Sequence, residues 1–304
     1  MTNKIINGII VLSMTCMSST AFSKEFVIGM SQSNLGEPWR AQMNADIKKA
    51  AEAAGYKVIF KDAQNDSLKQ KSQVVEFMNS NIDLLIISPN EAAPLTKPVR
   101  EVYKKGIPVI VLDRKVVGSD YTTYISADNK KIGLAAGKWI ADNFPKGTKT
   151  VELRGQMTAT PAQDRHNGFR EGAKDAGLDI VFDVEMKWLE SIARQEMSSA
   201  LGRFDDIDLV YAHNDPGAHG AYMAAKAAGR EKDIKFVGID ALAQEGQIYV
   251  KKGILAASFE YPTGGEEAIK RAGEIFSGKE VPKEIILPSR VFTPDNVDEG
   301  GEWL

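Results

Sequence analysis

The chain has 304 residues, 43% of them hydrophobic, and sets 38 basic side chains against 41 acidic ones for a formal charge of −3. That apolar fraction supports a packed core and excludes wholesale disorder, while the near-neutral charge offers no electrostatic footprint for nucleic acid. One cysteine and three histidines exclude an internal disulfide and leave little material for a zinc cage or Cys–His catalysis.

The chain opens with Lys4, an apolar run through Ile5, Ile6, Ile9, Ile10, Val11 and Leu12, and small residues ending at Ala21-Phe22-Ser23. A basic start, a short apolar stretch and a small-x-small pattern predict a signal peptide over 1–23, cleaved after about Ser23. The run falls short of the roughly 20 residues that span a bilayer. Cleavage would also remove Cys16, leaving an exported chain without cysteine.

Beyond it, short apolar or β-branched runs alternate with amphipathic helical stretches. The runs lie at 26–30, 56–60, 84–88, 109–112, 122–126, 150–153, 180–184, 209–212, 235–239 and 255–259. Helix patterns lie at 39–54, 67–80, 94–105, 130–143, 164–176, 193–201, 217–228 and 242–252. Gly55, Gly106, Gly177, Gly229 and Gly253 stand where helix patterns stop, as a left-handed helix end requires. Such alternation means α/β architecture with parallel sheets, and Leu84-Leu85-Ile86-Ile87 is apolar throughout, like a strand covered on both faces.

One closed barrel or two open, doubly wound sheets could use these units. Five runs before Asp128 and five more before Pro262 favour two lobes, of residues 24–127 plus 261–284 and 128–260 plus 285–304. A helix near 264–276, a last strand over 285–292 and a polar tail over 293–304, crossing back over the hinge, complete the expected chain.

Ligands bind beyond the carboxyl ends of strands in open α/β sheets. The residues there are Trp39 and Arg40 after the first run, Ser88 after the third, and Asp113 and Arg114 after the fourth. In the second half they are Arg165, in a helix expected to open at Asp164, then Trp188, Asn214, Asp240 and Glu260. Carboxylates accept from hydroxyls, guanidinium and amide groups donate to hydroxyl and ring oxygens, and indole faces cover the C–H patches of a sugar ring. A phosphate site would lack the acids. Asp128 and Asp164 are equally candidates for helix caps.

In order along the chain, Trp39-Arg40, Leu112-Asp113-Arg114, Ala127-Asp128-Asn129, Asp164-Arg165, Tyr211-Ala212-His213-Asn214-Asp215, Gly238-Ile239-Asp240 and Ser258-Phe259-Glu260 resemble the periplasmic sugar-binding proteins of the ribose and galactose type, most closely the galactofuranose-binding branch. The resemblance implies a type I periplasmic binding protein with two lobes on a multi-strand hinge. It implies a monosaccharide ligand, furanose forms included, an inner-membrane ABC permease as partner, no cofactor or metal, and a monomer in the periplasm. A chemoreceptor or sensor kinase is the alternative partner. By that likeness Trp39, Arg40, Ser88, Asp113, Arg114, Arg165, Asn214, Asp240 and Glu260 contact ligand, and Trp188 matches an aromatic contact position. Glu37-Pro38-Trp39 replaces the paired phenylalanines of the ribose branch, and Glu260 stands where that branch favours glutamine.

Other classes fit less well. Asp113 and Asp240 could serve a sugar hydrolase as acid and base, but no nucleophile elbow or metal-ligand cluster accompanies them. His213 and His219 are six apart, off the i, i+4 spacing of one helix face. A transcription regulator would begin with a helix-turn-helix, and a dehydrogenase would carry G-x-G-x-x-G after its first strand.

Overall fold

A computed structural model describes residues 25–304. The expected export segment and Cys16 lie outside the described residues. The first sheet is built from β1 (Val27–Gln32), β2 (Lys57–Asp62), β3 (Leu84–Ile87), β4 (Val109–Leu112) and β5 (Thr123–Ala127), linked by α1 (Pro38–Ala54), α2 (Ser67–Met78) and α3 (Ala92–Lys104). The chain then crosses at Asp128 into α4 (Asn129–Asn143) and a second unit: β6 (Lys149–Arg154), α5 (Thr160–Gly172), β7 (Asp179–Glu185), α6 (Glu190–Leu201), β8 (Leu209–Ala212), α7 (Asp215–Ala227), β9 (Lys235–Asp240), α8 (Gly246–Lys251) and β10 (Ala257–Glu260). It returns through α9 (Gly265–Phe276) to β11 (Glu284–Leu287), then crosses again to β12 (Arg290–Phe292) and β13 (Glu302–Trp303).

The sheet orders are β11-β5-β4-β3-β1-β2 and β13-β12-β10-β9-β8-β6-β7. Read from its own first strand, each sheet has the doubly wound order 2-1-3-4-5, with its topological switch point between β1 and β3 or between β6 and β8. The central strands are apolar at nearly every position and fully buried. One apolar cluster runs through both lobes, holding Ile28 and Ile110 together with Ile239 and Phe259.

The single strand expected over 285–292 is two strands in different sheets. Glu284–Leu287 runs parallel to β5, with Ile285 opposite Ile125, while Val291 pairs antiparallel with Phe259 of β10. Residues 285–287 therefore belong with the first sheet, not the second lobe. Pro288 lacks the N–H that would continue the ladder. The tail returns toward the crossings: Leu304 N donates to Ser289 O at 3.0 Å, and Lys131 Nζ donates to Leu304 O at 2.9 Å.

Local chemistry explains the helix ends. The Asp128 carboxylate accepts from Lys131 N at 2.9 Å and caps α4, satisfying an orphan donor. Asp164 is not a cap. The helix begins at Thr160, with Pro161 in its first turn, where the fixed φ and missing N–H of proline are harmless. The helices α4 and α5 meet through glycines. A Cβ on Gly133 would stand 2.4 Å from Arg165 O, and one on Gly168 2.2 Å from Lys130 O.

Candidate functional site

The carboxyl ends of the two sheets face one cleft, with about 280 Å³ of open space lined by Glu37, Trp39, Arg40, Asp113, Arg114, Pro161, Arg165, Trp188, Asn214, Asp240 and Tyr261. The lobes touch on both sides of it. Gln244 Nε2 donates to Gln42 Oε1 at 2.8 Å, and Lys115 N to Thr160 Oγ1 at 3.4 Å. The structure is thus in a closed arrangement.

The shared topology produces matched pairs. Arg40 follows β1 and Asp113 follows β4; Arg165 follows β6 and Asp240 ends β9. Arg40 Nη1 lies 3.0 Å from Asp113 Oδ2, and Arg165 Nη1 lies 3.8 Å from Asp240 Oδ1. Both aspartates have positive φ, 69° at Asp113 and 132° at Asp240, as do Lys187, Trp188 and Ala241 beside the cleft. Non-glycine residues pay about 1–3 kcal/mol for such backbone, so the surrounding structure holds these side chains in place.

On the first lobe the cations and acids are already engaged. Arg40 Nη1 donates to Gln32 Oε1 at 3.0 Å and Ser88 Oγ at 2.9 Å, and Arg40 Nε to Glu37 Oε1 at 3.3 Å. Asp113 Oδ2 also accepts from Ser88 Oγ at 2.9 Å, and Oδ1 from the Tyr261 hydroxyl at 2.8 Å. Burial pushes the Asp113 carboxyl up, but Arg40 and Arg114, with the Tyr261 and Ser88 bonds, outweigh it and hold the pKa below the ordinary value. Arg114 Nη1 donates to Asn90 O at 2.7 Å. Burial and the neighbouring Arg40 bring the Arg114 pKa down to about 10, so it stays charged at neutral pH.

The second lobe leaves more unsaturated chemistry. Arg165 Nε donates to Asn129 Oδ1 at 2.9 Å and Nη1 to His213 O. Its guanidinium stands 5.4 Å from the Trp188 ring centre and 4.4 Å from that of Tyr261, within cation–π range. Asn214 Oδ1 caps α7 by accepting from Gly217 N at 3.0 Å, and its amide donates to Trp188 O at 3.1 Å. Asp240 differs from Asp113: its buried carboxylate has no hydrogen bond to another described residue. Burial raises its pKa well above normal, and Asp215 and Glu245 add to this against Arg165. Arg114 Nε and Trp188 Nε1 are buried donors with no hydrogen-bond acceptor among the described residues. The lining interleaves three acids (Glu37, Asp113, Asp240) with three guanidiniums (Arg40, Arg114, Arg165), a set that suits a ligand rich in both donors and acceptors.

Of the residues expected at the ligand, Trp39, Arg40, Asp113, Arg114, Arg165, Trp188, Asn214 and Asp240 converge on this cleft. Ser88 sits behind the lining and braces Arg40 and Asp113. Glu260 is not in the cleft. Both its carboxylate oxygens accept from Arg290, at 2.7 Å each, on the hinge side. The next residue, Tyr261, lies just past the end of β10 and lines the cleft in its place. Sequence reading missed Tyr261 by one residue of register. It also missed Glu37 and Pro161, the latter because the helix starts earlier than expected. Gly155 was missed as well: a Cβ there would stand 2.3 Å from the Trp188 ring, so only glycine lets the indole lie flat.

The histidines are structural. Gly155 N donates to His213 Nδ1 at 3.2 Å, which leaves the proton on Nε2, 3.1 Å from Glu152 Oε1. Asp215 accepts from Ser258 Oγ, and His219 pairs with Glu190. His213, Asp215 and His219 thus serve three separate partners. Glu152, His166 and Asp183 do gather ligand-type atoms, but Arg170 Nη2 bridges Glu152 at 2.6 Å and Asp183 at 2.8 Å and supplies the positive charge itself.

Two doubly wound lobes on three crossings, closing on a buried polar cleft, define a hinged binding protein. A family profile described as periplasmic binding protein domain matches residues 28–280, and the chain belongs to that family. It is 34% identical to the ribose import binding protein of Bacillus subtilis over 278 residues, covering 91% of this chain and 90% of that protein. It is 32% identical to the galactofuranose-binding protein of Escherichia coli over 74% of each. The solved fructose-binding periplasmic domain of a hybrid two-component system superposes with a TM-score of 0.86 at 42% identity, covering 90% of this chain and 93% of that one. These relatives are named as binding proteins, not enzymes. Among the described residues no helix is long and apolar enough to cross a membrane.

Proposed function

We propose that this chain captures a neutral monosaccharide, a pentose or hexose in pyranose or furanose form, in the cleft between its lobes and carries it through the periplasm to an inner-membrane ABC importer. The observation that carries this reading is the pair of opposed Arg–Asp sets, Arg40 with Asp113 and Arg165 with Asp240, flanked by the indoles of Trp39 and Trp188. Guanidinium groups donate to ring and hydroxyl oxygens, and Asp240 accepts from hydroxyls. Because both lobes contribute, ligand binds the closed form better and shifts the population toward it. Closure removes water from hydrogen bonds to charged groups, each worth roughly 1.5–3 kcal/mol. The protein works as a monomer, without cofactor, after removal of its first 23 residues.

A second reading keeps the ligand and changes the partner. The likeness to a fructose-binding domain from a hybrid two-component system supports presentation of the sugar to a sensor kinase or chemoreceptor.

Titration calorimetry with D-ribose, D-xylose, L-arabinose, D-fructose, D-galactose and myo-inositol tests the shared part. One-to-one binding of a sugar, recovered unchanged, is expected. Silence across the panel, or conversion of the sugar, overturns it. Stimulation of a reconstituted importer ATPase by the loaded protein separates the importer from the sensor.

A further inference from the structure

Tyr261 occupies an unusual place. It lies in the crossing between β10 and α9, outside every helix and strand, yet it is buried and lines the cleft. Its main chain is tied to both lobes: Trp39 Nε1 donates to its carbonyl at 2.7 Å, and its N–H donates to Asp240 O at 3.1 Å. Its ring stacks on Trp39 with centroids 4.9 Å apart and lies against Arg165. Its hydroxyl donates to Asp113 Oδ1 at 2.8 Å and accepts from Asn129 Nδ2 at 3.3 Å. Burial and the Asp113 charge raise its pKa, so the phenol keeps its proton.

Behind Tyr261 is a second open space. An open groove runs along the hinge past Asp46, Gln247, Glu266 and Arg290, and it shares with the ligand cleft only Asp240 and Tyr261. Those two residues stand between the cleft and the groove. Of the two, Asp240 has the short side chain and Tyr261 the large one, a six-membered ring.

We propose that Tyr261 is a specificity-determining residue, its ring limiting the ligand to one sugar unit and its hydroxyl withholding one oxygen of Asp113 from the ligand. The inference rests on the sugar-binding reading above. A ligand can use Asp113 only through the lone pairs that Arg40, Ser88 and Tyr261 leave free, so the hydroxyl pattern accepted at that end of the ring is set partly by the tyrosine.

The test uses the full mature chain as wild type, Tyr261→Phe and Tyr261→Leu, titrated with the same six compounds plus sucrose and lactose. Tyr261→Phe keeps the wall and frees Asp113 Oδ1. Affinity ratios among the stereoisomers D-ribose, D-xylose and L-arabinose should change fivefold or more while the disaccharides stay excluded. Tyr261→Leu opens the partition, and binding of at least one disaccharide should rise at least tenfold relative to the preferred monosaccharide. If Tyr261→Leu does not fold, the Tyr261→Phe ratios decide. A wild type that binds, with ratios unchanged in the variants, overturns the assignment alone. A wild type silent toward every compound overturns the sugar reading instead and takes this assignment with it.

Discussion

The Tyr261 hydroxyl donates to Asp113 Oδ1 at 2.8 Å across 148 residues of sequence. The bond joins a hinge crossing to the acid at the end of β4. Its counterpart Asp240, at the end of β9, has no such donor. The two aspartates hold equivalent places in two copies of one topology, yet the carboxylate of one is engaged by protein donors and that of the other accepts no hydrogen bond from a described residue.

Asp240 should therefore carry more of the ligand affinity than its topological twin. Asp240→Asn replaces an acceptor-only group by one that presents donors to hydroxyls, and removes a charge opposite Arg165. Sugar affinity should fall at least tenfold by calorimetry, with the melting temperature unchanged or raised, because burying this carboxylate is costly. Retained affinity would remove Asp240 from the site.

Glu260→Gln should leave sugar affinity within about twofold, since both oxygens face Arg290. Stability should fall by about 0.5–1 kcal/mol, the range for a partly exposed, well-aligned ion pair. A large loss of affinity with unchanged unfolding would return Glu260 to the ligand.

Gly133→Ala should lower stability by 2 kcal/mol or more, in the range of overpacked positions (about 1–3 kcal/mol), and weaken sugar binding together with it. The added methyl meets Arg165 O, so relieving the clash displaces the helix that carries Arg165. Urea unfolding and calorimetry on one sample check both effects. Binding unaltered in a destabilised variant would uncouple this helix contact from the site.

Glu152 should shape acid unfolding. Burial pushes its pKa up, but the His166 and His213 bonds and the Arg170 charge prevail and hold it near 2, against an ordinary 4.5. The folded state binds fewer protons than the unfolded one in that window, so its contribution is complete above pH 4.5 and is lost as pH falls toward 2. At about 1.4 kcal/mol per pH unit it is worth about 3 kcal/mol. Glu152→Gln should be less stable at pH 7 and show a flatter stability profile between pH 4.5 and 2. An unchanged profile would contradict the network.

Glu245 has the opposite sign. Burial and nearby Asp215 raise it to about 7 from 4.5, and its Oε2 has no partner among the described residues. Its penalty is absent below pH 4.5 and complete above pH 7. Glu245→Gln should raise the melting temperature at pH 8 and change nothing at pH 4. Equal effects at both would point to packing instead.

Much of the site was legible because one rule governs it. Arg40, Asp113, Arg165 and Asp240 are conspicuous as charged residues beside strands that are otherwise apolar. The glycine stops were legible for a similar reason: Gly55, Gly106, Gly177, Gly229 and Gly253 all have the positive φ expected of them. Glu260 and Tyr261 were confused because both are polar and adjacent, and only the folded path of the crossing after β10 decides which faces the cleft. The start of α5 was misplaced because Asp164 advertises a cap while Pro161, the actual signal, reads equally as a loop residue.

By itself the sequence determined the repeated strand–helix order, the apolar strand cores and the chemical character of the strand ends, because those are properties of neighbouring residues. The tertiary structure alone decided where 285–292 divides between two sheets, that Glu260 spends its charge on Arg290, and that Tyr261 walls the cleft. Each of these depends on residues far apart in the chain whose pairing carries no local pattern. Burial decided the rest: Asp113 and Asp240 are the same residue type at equivalent places, and only the partners folded around them make one occupied and the other open.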